Sequence, residues 1–401
     1  MTGLKALFVL LCILLTFLTY TPIPENIEEP WKIMALNAFG KSFILMGLLI
    51  ECTGFMKLED LLSMVIMLDY TEPLSDEYVM VTDTTFNDIP VRLYLPKRKS
   101  ESLRRAVIYF HGGAFCFGSF KQSPYDSLNR WTANRLDAVV MTADYRLAPQ
   151  YHFPVQLEDA ISAVKYFLQD EVLRKYGVDP HRICIAGDSS GGTLTAAITQ
   201  VMQNYPELKQ KIKLQALLYP ALQAIDSHLP SHLENEHGIL LTRDIAVRFT
   251  SLYFTKNKTL TQLMERNQHM PLESKHLFKF VNWSILLPEK FRRNHVYTEP
   301  ILGLFNFSVP GLMDSRALPL LANDLLLQNL PPAYILTCQY DLLRDDGLMY
   351  VTRLRNAGVK VAHDHIENGI HGALSLMTAP FYVSQGFKVR DKYIAWLDKN
   401  L

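Results

Sequence analysis

Four short stretches carry side chains that could act together on a carbonyl group. The first, ICIAGDSSGG at residues 183–192, breaks from an apolar, β-branched run into glycine, acid, two serines and two glycines. Gly187, Ser189 and Gly191 fit GxSxG, in which the central serine sits on a tight strand-to-helix turn and its neighbours must be small to clear the backbone. Ser189 is therefore the nucleophile candidate. Ser190 would offer its backbone N–H at the helix amino end; its hydroxyl has no part in that, so Ser190→Ala is expected to cost little. Taken alone, the pentapeptide also reads as a glycine-rich turn with a serine cap. The second stretch, HGGAF at His111–Phe115, follows the run RAVIYF. Glycines after a strand let backbone N–H groups approach a ligand with no Cβ in the way, which stabilising a tetrahedral oxyanion requires. His111, Gly112, Gly113 and Ala114 thus mark a candidate oxyanion loop, with donors from Gly112, Gly113 or Ala114 and from Ser190. Alanine keeps its N–H, so the loop works at Ala114 provided that residue does not need positive φ.

A serine at its ordinary pKa needs a base, and the base needs a carboxylate to orient it. After a GxSxG turn of this kind the chain order is serine, acid, histidine, the last two following late strands. QYDLLRDDG offers Asp341, Asp345 and Asp346. Asp341, nearest the strand end, is the first choice and Asp345 the fallback. VKVAHDHIENGIHG offers His363, His365 and His371. The first two fall within a strand and share one face by its period of two, whereas His371 lies in the loop beyond it, among glycines. His371 is the base candidate. Such a set would open an ester or amide through an acyl-enzyme, and it calls for no metal or cofactor.

The elements that must hold these residues are legible around them. Short β-branched runs bounded by turn residues begin at Glu77, Ile89, Arg105 and Asp137, and later come RICIAG, LQALLYP, PAYILTC and VKVAHDHI, which makes about eight strands. Helical patterns separate most of the later ones: LEDAISAVKYFLQDEVLRKYG, TLTAAITQVMQ, and DDGLMYVTRLRNAG with Gly358 as its stop. This alternation predicts an α/β fold with a mostly parallel, covered sheet whose site lies at the carboxyl ends of its strands. Residues 21–75 read as apolar helices and residues 76–401 as the catalytic domain. Between Pro220 and Pro331 roughly 110 residues lack a sheet pattern, far more than a loop of about 4 to 6, so an insertion at about 225–330 is expected over or beside the sheet.

With 49% hydrophobic residues among 401, and Lys plus Arg matching Asp plus Glu at 40 each, the chain can bury a large core but has no basic field to gather nucleic acid. Residues 1–20 contain the apolar run Ala6–Leu18 after Lys5, with Glu25, Glu28 and Glu29 beyond it. That charge order predicts a signal-anchor with its amino end cytosolic and the rest luminal, or a cleaved signal with secretion as the alternative. Sequons at Asn257, Asn282 and Asn306 agree with a lumen. Of the five cysteines, Cys12, Cys52, Cys116, Cys184 and Cys338, the first lies in the apolar run and Cys184 in a strand, and Cys116 and Cys338 are the expected pair in an oxidising lumen. All thiols free is the other reading.

Together, HGGAF, DYRLAP at Asp144–Pro149, GDSSGG and DLLRDDG followed by HG at His371 resemble the hormone-sensitive-lipase branch of the α/β-hydrolases. The apolar start followed by YTPIPENIEEPWK at Tyr20–Lys32 is similar to its arylacetamide deacetylase group. The resemblance implies a catalytic domain under a cap formed largely by the amino-terminal helices, with Ser189, Asp341 and His371 as a triad. It implies an endoplasmic-reticulum luminal body behind a type II anchor and a Cys116–Cys338 disulfide. The branch often has HGGG where this chain has Ala114. A lipophilic ester or amide is the expected substrate, the membrane is met through the amino-terminal segment, and no obligate protein partner is expected. A catalytically silent ligand-binding protein on the same fold is the alternative function.

Overall fold

The computed structural model describes residues 19–304, 309 and 311–401. The expected anchor run and Asn306 lie outside these described residues. Every run read as a strand forms one: β1 Val79–Phe86, β2 Ile89–Pro96, β3 Arg104–Phe110, β4 Ala138–Ala143, β5 Val178–Asp188, β6 Ile212–Leu218, β7 Ala333–Tyr340 and β8 Val361–Ile370. They make one sheet in the order β1-β2-β4-β3-β5-β6-β7-β8. β2 runs against both of its neighbours, and every pair from β4 across to β8 is parallel. The sheet is therefore mixed, with a single reversed strand.

Strands buried on both faces can be apolar at every position rather than alternating. AVVMTA of β4 is buried throughout, and so is β3 from Ala106 to Phe110. One face is covered by the helices Val155–Phe167, Ser190–Val201 and Arg344–Asn356, the other by Ser123–Leu136 and Ser384–Asn400. The chain between β6 and β7 leaves the sheet and forms short helices, of which Arg243–Phe254 is the longest. The amino-terminal stretches form the helices Pro30–Cys52 and Leu58–Met67. Proline at the first turn of the former suits a position whose N–H has no helical partner.

The Cys116–Cys338 disulfide is not formed. Cys338, on β7, packs beside Gly369 in the core on the Ser384–Asn400 side, whereas Cys116 lies in a separate small cluster with Ala148 and Phe249. Both thiols are free and buried, and burial pushes both pKa values up. Elimination by sequence position could not see that the two side chains belong to different clusters.

The helix Ser190–Val201 runs so close to β3 that a Cβ on Gly191 would lie 2.1 Å from the Phe110 carbonyl oxygen. Backbone cannot yield there as a flexible side chain would. Gly191→Ala is expected to destabilise the fold by about 3 kcal/mol, read as a lowered urea midpoint; an unchanged midpoint would contradict this packing.

Candidate active site

The ends of β3, β5, β7 and β8 all deliver residues to one mouth of the sheet. β5 ends at Asp188, and Ser189 follows at φ 52° and ψ −120° before the helix begins. A serine in that region costs of order 1–3 kcal/mol and persists only where its surroundings force it. They do: the Ser189 N–H donates to Leu218 O at 2.9 Å, and a Cβ on Gly187 would lie 2.3 Å from Gly191 O. The turn lifts the Ser189 hydroxyl out of the sheet into a cavity of about 330 Å³.

His371 stands one residue past β8, and its Nε2 lies 3.0 Å from Ser189 Oγ. Its Nδ1 lies 3.0 Å from Asp341 Oδ2, and Asp341 is fully buried one residue past β7, its other oxygen accepting the Leu343 N–H at 2.7 Å. Burial opposes charging the His371 imidazole, but the Asp341 carboxylate, by charge and hydrogen bond, outweighs it and raises the pKa above the usual 6.5. Tyr219 meets the same ring edge-on at 5.1 Å between centroids. Among the residues held in reserve, Asp345 pairs with Arg344 at 2.9 Å and accepts the Ser231 N–H, while Asp346 accepts N–H groups from Leu222 and Gln223. Both acids brace the chain that leaves β6. His363 Nε2 and His365 Nδ1 each lie 2.9 Å from Thr337 Oγ1. They share one strand face as expected and are turned to Thr337, not to Ser189; burial lowers both to about 4.

The HGGAF loop corrects several expectations. The Gly112 N–H is already committed to Tyr125 Oη at 2.9 Å and Asp188 Oδ1 at 3.1 Å, so it is withdrawn from the donor set. His111 is buried below the loop: Nδ1 lies 2.7 Å from Gly112 O, and the ring stacks on Tyr145 at 4.5 Å. It shapes the loop and does not line the cavity. Gly113 and Ala114 do line it, with Ser190 opposite. Ala114 adopts φ 51° between Gly113 at 116° and Phe115 at 61°, so the proviso about positive φ is not met. The N–H stays in the cavity wall, at the cost of backbone strain. Ser190 also does more with its hydroxyl than expected, since Oγ accepts the Phe115 N–H at 3.3 Å and fastens the loop to the nucleophile turn.

Asp188 escaped the sequence reading altogether. Its Oδ1 accepts from Tyr109 Oη at 3.0 Å and from Gly112 N–H, and its Oδ2 from Tyr125 Oη at 3.2 Å. Burial raises its pKa to about 6 against those donors. The acid inside GDSSGG was visible, but partners 63 to 79 residues away were not.

A family model described as alpha/beta hydrolase fold matches residues 107–275 and 282–375, a span that holds the HGGAF loop, Ser189, Asp341 and His371. The chain belongs to the α/β-hydrolase fold family. It is a hydrolase of the arylacetamide deacetylase-like group, 68% identical over 400 residues to human arylacetamide deacetylase-like 2, with all of both chains covered. It is 50% identical over 396 residues to bovine arylacetamide deacetylase, covering 98% of each. Among solved structures, a thermophilic carboxylesterase cloned from a metagenomic library matches at a TM-score of 0.60 and 28% identity, over 86% of this chain and 95% of that one.

The roof over the cavity differs from the one implied by the resemblance. Ile44 and Leu62 come from the amino-terminal helices, but Ile245, Phe249, Tyr253 and Phe254 come from the insertion. The cap is shared, and the insertion supplies its aromatic part.

Three outcomes follow for this hydrolase. Activity should fall as pH drops through the His371 pKa, because a protonated imidazole cannot take the serine proton; with that pKa raised, the acid limb lies above 6.5 in a kcat/KM profile. Asp341→Asn should cost about 10⁴-fold in kcat. Ala114→Gly removes left-handed strain of about 1–2 kcal/mol and adds about 0.5–1 kcal/mol of chain entropy. A thermal scan should therefore show equal or higher stability, and a lower Tm would count against the strained loop.

Proposed function

We propose that this hydrolase cleaves lipophilic carboxylic esters or aryl amides through Ser189, His371 and Asp341. The observation that carries the reading is the continuous chain of contacts Ser189 Oγ, His371, Asp341, at 3.0 Å and 3.0 Å, opening into the cavity beside Gly113 and Ala114. His371 Nε2 takes the proton as Ser189 Oγ attacks the substrate carbonyl; Asp341 holds the Nδ1 tautomer and stabilises the imidazolium. The oxyanion meets the N–H groups of Gly113 or Ala114 and of Ser190, which cost no reorganisation because the loop is already set. His371 then returns the proton to the departing alcohol or amine. Water enters by the same route and frees the acid.

The cavity supports the substrate class, since aromatic and aliphatic side chains such as Phe117, Phe249 and Leu318 dominate its lining. The name of the bovine relative, arylacetamide deacetylase, points the same way. The intact triad disfavours a catalytically silent binding role. We place the body on the luminal side of the endoplasmic reticulum membrane behind residues 1–20, with secretion after cleavage as the alternative; sequencing the mature amino terminus decides between them. Asn257 is exposed and Asn282 half-buried, each capping a short helix, and Asn257 is the better acceptor for a glycan.

Ser189→Ala should lower kcat by about 10⁶-fold. Ser190→Ala leaves the Phe115 N–H without its partner, a loss of about 1 kcal/mol, so turnover should fall by less than about tenfold. The measurement is hydrolysis of a short-chain ester and an acetylated arylamine by the folded full chain. Equal losses for both variants would refute the assignment of Ser189.

A further inference from the structure

The helix Pro30–Cys52 is 23 residues long and apolar enough to cross a membrane by length and composition, yet only 17% of its most apolar window is buried. A core helix would be mostly covered. One stripe of it, Ile33, Asn37 and Gly47, faces the protein, with Asn37 Oδ1 accepting the Leu240 N–H at 3.0 Å and Gly47 admitting Leu58 of the next helix. It therefore lies along the body and does not leave it. The other faces carry large apolar side chains: Phe39 is 66% exposed and Leu49 62%, and in the turn and helix that follow Phe55 is 81% and Leu68 86% exposed.

The charges make the case sharper. Pro30–Cys52 has three charged residues, and each is turned back to the protein: Lys32 donates to Tyr382 O at 3.2 Å, Lys41 to His237 O at 3.3 Å, and Glu51 pairs with Arg248 at 2.6 Å. A water-facing helix shows the reverse pattern, with polar residues outward. Exposed charge returns only at Lys57 and Asp60, where the second helix starts. Eleven residues, 19–29, separate the apolar run Ala6–Leu18 from Pro30, a reach of about 40 Å even if that linker were fully extended. The linker is held down instead, with Ile27 buried and Asn26 donating to Glu367 O. Thr21, near the described start of the linker, meets Lys41, so that start lies beside this same helix. On their inner side Ile44 and Leu62 line the active-site cavity.

We propose that Pro30–Cys52 and Leu58–Met67 dock as a pair into one leaflet of a lipid bilayer, and that lipophilic substrate passes from the leaflet into the cavity between them and the insertion. The docking stands on the exposed face alone, while the substrate route rests on the hydrolase reading. An in-plane helix with its apolar faces sunk to the acyl-chain boundary holds a cavity mouth where apolar esters already partition.

Cys52, at the end of the first helix, is the exposed cysteine among the described residues, the other three being buried. In full-length Cys12→Ser protein it can carry an environment-sensitive fluorophore. On phosphatidylcholine vesicles, nitroxide placed on the acyl chains should quench that fluorophore at least twofold. Absence of quenching overturns the proposal, whether residues 1–18 fold back over the face or a second copy covers it. The double variant Phe39→Glu, Leu49→Glu should lose the quenching and at least tenfold of its activity on a bilayer-dissolved ester, while kcat/KM for a water-soluble short-chain ester stays within twofold. Parallel loss on both substrates would refute the route. If the parent hydrolyses neither ester, the hydrolase reading fails and the quenching still decides the docking.

Discussion

One buried carboxylate joins the two halves of the site. Asp188 ends β5, beside the nucleophile, and holds Gly112 at the end of β3 together with Tyr109 and Tyr125. Burying an anion is expensive unless donors replace its water; here two hydroxyls and a backbone N–H do so. The strain at Ser189 and the left-handed run from Gly113 to Phe115 each need a fixed neighbour. Asp188, Ser190 Oγ and the contact of Gly191 with Phe110 supply it from three sides. The HGGAF loop and the Ser189 turn are thus one rigid unit, which in the proposed mechanism lets backbone dipoles stabilise developing charge without moving.

The base and acid come from the far edge of the same sheet. β7 and β8 pair in parallel, with Tyr340 level with Ile370, so the residues that follow them, Asp341 and His371, leave the sheet side by side. β6 spaces this pair from Ser189. Its next residues, Tyr219 to Ala224, turn under the cap and are tied by Asp346, so the insertion is anchored to the helix that carries the acids. The same stretch meets His371 through the Tyr219 ring, while the aromatic wall packs on the HGGAF loop, Tyr253 stacking on Phe115 at 3.9 Å.

Period and turn residues made the strands readable, because parallel strands covered on both faces are runs of apolar residues and cannot be hidden by alternation. The meeting of Ser189, His371 and Asp341 was readable for a related reason: each follows a strand, and chain order separated His371 from His363 and His365, which lie inside one. What stayed hidden depended on contacts across the fold. Nothing local says that the Gly112 N–H is spent on Tyr125, that His111 stacks beneath its loop, or that Ala114 lies at positive φ. The thiols of Cys116 and Cys338 looked like partners because sequence position does not report which core cluster a side chain joins. The cap differs in degree from what the apolar amino-terminal helices suggest: the insertion's Phe249 and Tyr253, spread over an unremarkable helix, supply more of the wall.

Hydrolysis at this site requires above all that Ser189 Oγ be the atom that is acylated. Peptide mapping by mass spectrometry after reaction of the folded chain with a fluorophosphonate tests this directly, since the reagent needs the activated serine, its base and the oxyanion donors at once. The adduct is predicted on Ser189, forming more slowly as pH falls through the raised His371 pKa. Failure to react, or an adduct on Ser190 in its place, would contradict the account.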